Sequence, residues 1–109
     1  MSTKTEQENQ MSGKVTVIVH FTALPGMESR LDRVLRYLQR ESLQETGCLA
    51  FSYLRRVDAA AQYLFIEEWD NDAHFQEHLI SRHVRESDAE LQELLSERQQ
   101  VMAYRSAES

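Results

Sequence analysis

The run Tyr63-Leu64-Phe65-Ile66 is apolar at four consecutive positions, inside a segment whose residue types favour a strand. Successive side chains of a strand point to opposite faces of its sheet, so both faces here must be covered. A second β-rich segment, Val15 to Thr22, repeats the problem. Val15, Val17, Val19 and Phe21 fall on one face, and Ile18 falls on the other. This chain therefore has to bury a sheet from two sides.

The order of the other segments decides what covers the first side. After Val15–Thr22, Leu24-Pro25-Gly26 marks a turn. A helix is expected from about Met27 to Glu45, because Leu31, Val34, Leu35 and Leu38 repeat at i, i+3, i+4 and i+7. Gly47 is a plausible stop. Cys48 to Val57 reads as a second strand, with Leu49, Phe51 and Tyr53 on one face. Asp58 to Ala61 connects it to a third, Gln62 to Trp69. Asp70-Asn71-Asp72 offers N-cap side chains for a helix from about Ala73 to Ile80. A further helix, about Val84 to Glu97, carries Leu91, Leu94 and Leu95. Arg98 to Arg105 reads as a last strand. The order β-α-β-β-α-β is the ferredoxin-like α+β arrangement, a four-stranded antiparallel sheet with helices on one face.

Helices on one face leave the second face bare. Each large side chain left in water there costs roughly 1.5–3 kcal/mol. A second copy of the same sheet is the simplest cover, so a homodimer packed through its sheet faces is expected. The alternative is a monomer whose apolar patch takes another partner.

Length permits one domain, since the chain has 109 residues. Residues 13–109 are read as that domain and residues 1–12 as a disordered tail, whose only apolar residues are Met1 and Met11. The tail lacks the apolar core of a secretory signal. Net charge is -6, and Arg55-Arg56 is the densest basic spot, so nucleic acid is not an expected partner. No apolar run reaches the roughly 18–20 residues that span a membrane, and none is expected as a partner. The lone cysteine, Cys48, permits no internal disulfide and fits a reducing cytoplasm.

Three segments, in order, resemble the antibiotic biosynthesis monooxygenase (ABM) family. The first is the opening strand running through Pro25-Gly26 into an amphipathic helix. The second is Glu45-Thr46-Gly47-Cys48-Leu49-Ala50-Phe51, similar to that family's E-x-G-C-x-x-[YF]. The third is Glu67-Glu68-Trp69 followed by His78 and His83, similar to its E-x-W-x8-H-x4-H. Together they cover about residues 14 to 105. The resemblance implies a dimeric α+β barrel with a pocket between helices and sheet. Family members include cofactor-free monooxygenases that oxidise quinols or anthrones with O2. Others degrade haem, isomerise a phosphorylated sugar, or have no known activity, so the fold alone does not select a reaction.

Several residues then stand as candidates. His78, on an apolar helix side with Phe75 and Leu79, could remove a phenolic proton, since imidazole titrates near neutral pH. Glu67 shares a strand face with Phe65 and Trp69 and could orient His78. Trp69 could stack on a planar substrate and donate its indole N–H. Phe51, Phe65 and Phe75 could line the pocket; each serves equally well as core. His83 is read as structural, and His20 as facing the dimer partner. His74 and His78 share a helix face with Glu77 and His83 near, but spacing supplies no third ligand, so no metal and no cofactor are expected. Haem-degrading relatives carry a strand-one Asn and a late-helix His. Here those positions fall at Val19 and near Asp88, which speaks against haem degradation. The expected function is a cofactor-independent monooxygenase acting on a small aromatic or quinol-type substrate. A ligand-binding or stress-response module without chemistry is one alternative. An isomerase drawing on Arg55, Arg56 or Arg82 is another.

Overall fold

The computed structural model describes residues 13–108. The tail assigned to residues 1–12 lies outside them. Strand β1 is Val15–Thr22, helix α1 Glu28–Ser42, β2 Cys48–Arg55 and β3 Gln62–Trp69. Helices α2 and α3 are Asp72–Leu79 and Arg82–Leu94, and β4 is Gln100–Tyr104. All strand pairs are antiparallel and the sheet order is β2-β3-β1-β4. This is the expected ferredoxin-like α+β fold.

The α1 stripe is buried throughout, at Leu31, Val34, Leu35 and Leu38. On β1 the expected alternation holds, with Val15, Val17, Val19 and Phe21 inward. On β3 the inward set is Tyr63, Phe65, Glu67 and Trp69, so a carboxylate interrupts an otherwise apolar row. The outer face pairs Ile18 with Ile66 across β1 and β3, and Ile18 with Met102 across β1 and β4. Leu64 lies on the same face, and Leu54, its partner on β2, is exposed. His20 is exposed there too. No helix among the described residues is long and apolar enough to cross a membrane.

Two differences from the sequence expectation matter for the site. Helix α1 stops at Ser42 rather than near Glu45. The chain then turns through Glu45 N–H to the Ser42 carbonyl (3.0 Å) and Cys48 N–H to the Glu45 carbonyl (3.2 Å). Gly47 ends that turn at φ +87°, a left-handed conformation in which a side chain is strained. A Cβ at Gly47 would also collide with the His74 ring and the Asp70 carboxylate. The second difference is a register shift between Cys48 and Ala50. It turns Leu49 out to 57% exposure, away from the inward face expected for it with Phe51.

Helix α3 begins and ends earlier than expected. Leu95 is already extended, and it bridges Ala23 at the end of β1. Leu24 N–H bonds the Leu94 carbonyl and Ser96 N–H bonds the Thr22 carbonyl, which fixes where the segment leading to β4 starts.

Candidate functional site

Between the inner sheet face and the helices lies a cavity of about 90 Å³. Its wall is mostly aliphatic and aromatic: Val17, Val19, Leu38, Leu91 and the rings of Phe21, Phe51, Phe65 and Phe75. Phe51 meets Phe65 edge-on at 4.6 Å, and Phe65 meets Phe21 at 5.0 Å, geometries that suit aromatic quadrupoles. Into this wall the chain sets five polar residues, Ser42, Glu67, His78, Asp88 and Gln99. No lysine or arginine lines it.

His78 reaches the cavity from α2, an eight-residue helix that Asn71 caps by accepting from His74 N–H (2.8 Å) and of which only Phe75 and His78 are buried. The His78 Nδ1 lies 2.6 Å from Glu45 Oε2. Glu45 Oε2 is also 2.9 Å from His83 Nε2, which Ser42 Oγ and Ser81 Oγ approach at 3.3 Å each. A carboxylate on Nδ1 favours the tautomer with its proton there, leaving the lone pair on Nε2. That Nε2 stands 3.6 Å from Glu67 Oε1, beyond hydrogen-bond reach. Nε2 makes no hydrogen bond among the described residues, and His78 is part of the cavity wall. Burial lowers the His78 pKa, although Glu45 opposes the shift, and this favours the neutral ring.

Glu67 is 2% exposed. Burial pushes its carboxyl up to about 7; the bond from Trp69 works against this and the charge of Glu45 adds to it. The Trp69 indole donates its N–H to Glu67 Oε1 at 3.0 Å. Trp69 is fully buried and is not part of the cavity wall. Its ring packs against the His78 imidazole at 4.6 Å and 33°. The indole therefore works behind the wall. Its donor is committed to Glu67 and not free for a bound molecule, in contrast to the direct contact expected from sequence.

The fold thus brings His78, Glu67, Phe51, Phe65 and Phe75 to one cavity and holds Trp69 against two of them. It also changes who orients whom. Glu67 was the expected partner of His78, but the short contact belongs to Glu45, on the α1–β2 turn. In the sequence Glu45 stands out only as the end of the expected helix and the first letter of E-x-G-C-x-x-[YF]. The signal that could have found it is Gly47, which forces a turn and so frees the Glu45 side chain from the helix. His74 and His78 do not share a ligand: His74 Nδ1 goes to Asp70 Oδ1 at 2.6 Å. The set whose donor atoms do converge, within 4.8 Å, is Glu45, His78 and His83. These are the residues that could close on a divalent cation. At 2.6 and 2.9 Å, Glu45 Oε2 is within hydrogen-bond distance of both imidazoles.

The sequence profile described as "Antibiotic biosynthesis monooxygenase" matches residues 14–90. No curated protein matches the chain by sequence. Solved structures do match in fold. The PA3566 protein of Pseudomonas aeruginosa is 28% identical with a TM-score of 0.81, covering 88% of this chain and 96% of its own. The Rv0793 protein of Mycobacterium tuberculosis is 24% identical with a TM-score of 0.81, covering 85% and 94%. A protein named antibiotic biosynthesis monooxygenase is 20% identical with a TM-score of 0.80, covering 85% and 98%.

Proposed function

The chain belongs to the antibiotic biosynthesis monooxygenase family, and on that premise we propose that it is a cofactor-independent monooxygenase of small, neutral phenols or quinols. The observation that carries this reading is the Glu45–His78 pair, a held imidazole whose free nitrogen opens into an apolar, aromatic-walled cavity. His78 Nε2 takes the phenolic proton. Glu45 stabilises the imidazolium that forms, as a carboxylate does for any general-base histidine. The resulting phenolate gives electrons to O2 far more readily than the neutral phenol does. One oxygen atom enters a ring carbon ortho or para to the phenolate oxygen that still bears hydrogen, and the other leaves as water with the two hydrogens the substrate gives up. The substrate supplies all four electrons and becomes a quinone, so no external reductant is consumed. The apolar wall excludes water from the anion while this proceeds. Glu67, with Trp69 behind it, is the positioning group on the far side of Nε2.

Cavity chemistry favours this over an isomerase of phosphorylated sugars. An anionic substrate wants a cationic partner, and none lines the wall. Arg55 borders a separate groove beside α1, while Arg56 and Arg82 are tied to Asp58 and Glu86 on the surface.

The same proposal includes a cytoplasmic homodimer. The row of Ile18, Ile66, Leu64, Leu54 and Met102 on the outer sheet face is apolar and uncovered by any helix among the described residues. A second copy packed on it would close the barrel. Light scattering should give twice the chain mass, and Ile66→Asp should give one chain mass; a monomeric wild type would remove this part of the reading.

The activity is tested by O2 uptake with simple phenols, hydroquinones and anthrones, against autoxidation without protein. An enzyme-dependent rate that collapses in His78→Ala is expected. If the protein binds such molecules but never raises O2 uptake, it is a binding module and the oxygenase reading fails.

A further inference from the structure

The cavity has polar residues at two ends, and only one of them belongs to the acid–base cluster. Along β1 the wall runs from Val17, paired with Glu67, through Val19, paired with Phe65, to Phe21. At the usual rise per residue this is roughly 13 Å between backbone positions. Gln100 pairs with His20, so Gln99 sits at the Phe21 end, opposite Glu67. There Gln92 Nε2 donates to Asp88 Oδ1 (3.3 Å) and to Gln99 Oε1 (3.1 Å). Asp88 and Gln99 line the cavity, and Gln92 ties them together from α3. With its oxygen engaged, the Gln99 amide has its N–H donors left over, and no described residue accepts from them. Nothing between the two ends is polar except Ser42.

We propose that Gln99, clamped by Gln92 against Asp88, is a distal subsite that binds an oxygen at the far end of the aromatic ligand. The ligand would span the cavity, with one oxygen at His78 and a second, para to it, accepting from the Gln99 amide. This makes Gln99 the residue that sets specificity for oxygen at both ends of the ring. It rests on reading the cavity as a phenol site. It adds that the far end distinguishes oxygen from carbon. In the oxidation this same oxygen becomes a carbonyl of the quinone and still accepts from the Gln99 amide.

A pair of air-stable ligands of nearly equal shape tests it: 4-methoxyphenol and 4-ethylphenol, which differ by oxygen for methylene at the para position. Their dissociation constants are measured by NMR titration of the full chain, following amide shifts, with no turnover needed. Replacing Gln99 with leucine (Gln99→Leu) should shift the ratio of the two constants against the methoxy ligand by roughly threefold to tenfold, the value of one hydrogen bond. Gln92→Leu, which leaves Gln99 present but unclamped, should shift it the same way by less. An unchanged ratio in Gln99→Leu overturns the subsite, as does failure of both ligands to bind the wild type. Oxygen uptake is scored separately. A shifted ratio without O2 consumption keeps the subsite and removes the oxygenase reading, and an unshifted ratio with O2 consumption does the reverse.

Discussion

Two carboxylates in this protein each accept a hydrogen bond from an aromatic side chain, and they end in opposite states. Asp32, on α1, accepts from the Tyr53 hydroxyl at 2.7 Å and from Arg36 at 2.9 Å. Burial pushes its pKa up, but the bonds from Tyr53 and Arg36 prevail and hold it below the ordinary carboxylate range. Glu67 accepts from Trp69 at 3.0 Å, and there burial prevails, lifting the carboxyl to about 7. The difference is the surroundings. Asp32 borders an open polar groove with a guanidinium beside it. Glu67 sits in an apolar wall with no cation in reach and a second carboxylate, Glu45, across His78. Each accepts one bond from an aromatic side chain; the second bond and charge from Arg36, against burial and a neighbouring carboxylate, decide which group can move a proton near pH 7.

The largest effect should come from breaking the dry cluster. His78→Ala removes the base and should lower kcat/KM for O2 uptake by about 10²–10⁴-fold. Glu45→Gln, which keeps the shape but loses the charge that stabilises an imidazolium, should lower kcat by at least about tenfold with little change in KM, read in the same assay. A fall confined to KM would mean Glu45 only shapes the cavity.

The Glu67 comparison can be sharpened by stability. A carboxyl whose folded pKa is raised takes up protons on folding, so its favourable contribution is full below the unfolded value near 4.3 and is lost as pH rises through about 7. Glu67→Gln, which stays neutral, should therefore gain on the wild type by on the order of 2 kcal/mol between pH 5 and pH 8 in urea unfolding. A difference independent of pH would mean Glu67 is ionised in the folded protein throughout.

Smaller still is the expected effect at the wet carboxylate. Tyr53→Phe removes one half-exposed hydrogen bond and should cost under about 1 kcal/mol, with O2 uptake unchanged. Smallest of all, dialysis against a chelator should leave O2 uptake where it was; a loss restored by a divalent cation would move Glu45, His78 and His83 from proton holding to metal binding.

Much of the fold was legible in the chain. The α1 stripe and the alternation along β1 follow from period alone, and Glu67 sharing a face with Trp69 follows from the two-residue repeat of a strand. What was not legible came from tertiary closure. The shift at Cys48 and Ala50 sends Leu49 outward, and nothing in the strand-like run announces it. Glu45 lay at the end of an expected helix, 33 residues from His78 in the chain, and only the Gly47 turn brings them together. Spacing grouped His74 with His78, whereas neighbouring carboxylates draw them apart. Gln99 and Asp88 are not legible as a pair, because Gln92 joins them only across the junction of α3 and β4.

The central claim is that His78 is a neutral imidazole with its proton on Nδ1 and its Nε2 lone pair facing the cavity. Nitrogen-15 NMR of the histidine rings at pH 7 reads this directly. A neutral His78 with a protonated Nδ1 and a bare Nε2 is expected, with loss of that tautomer preference in Glu45→Gln. A proton on Nε2, or a doubly protonated ring, would contradict it, because no base would then face the substrate.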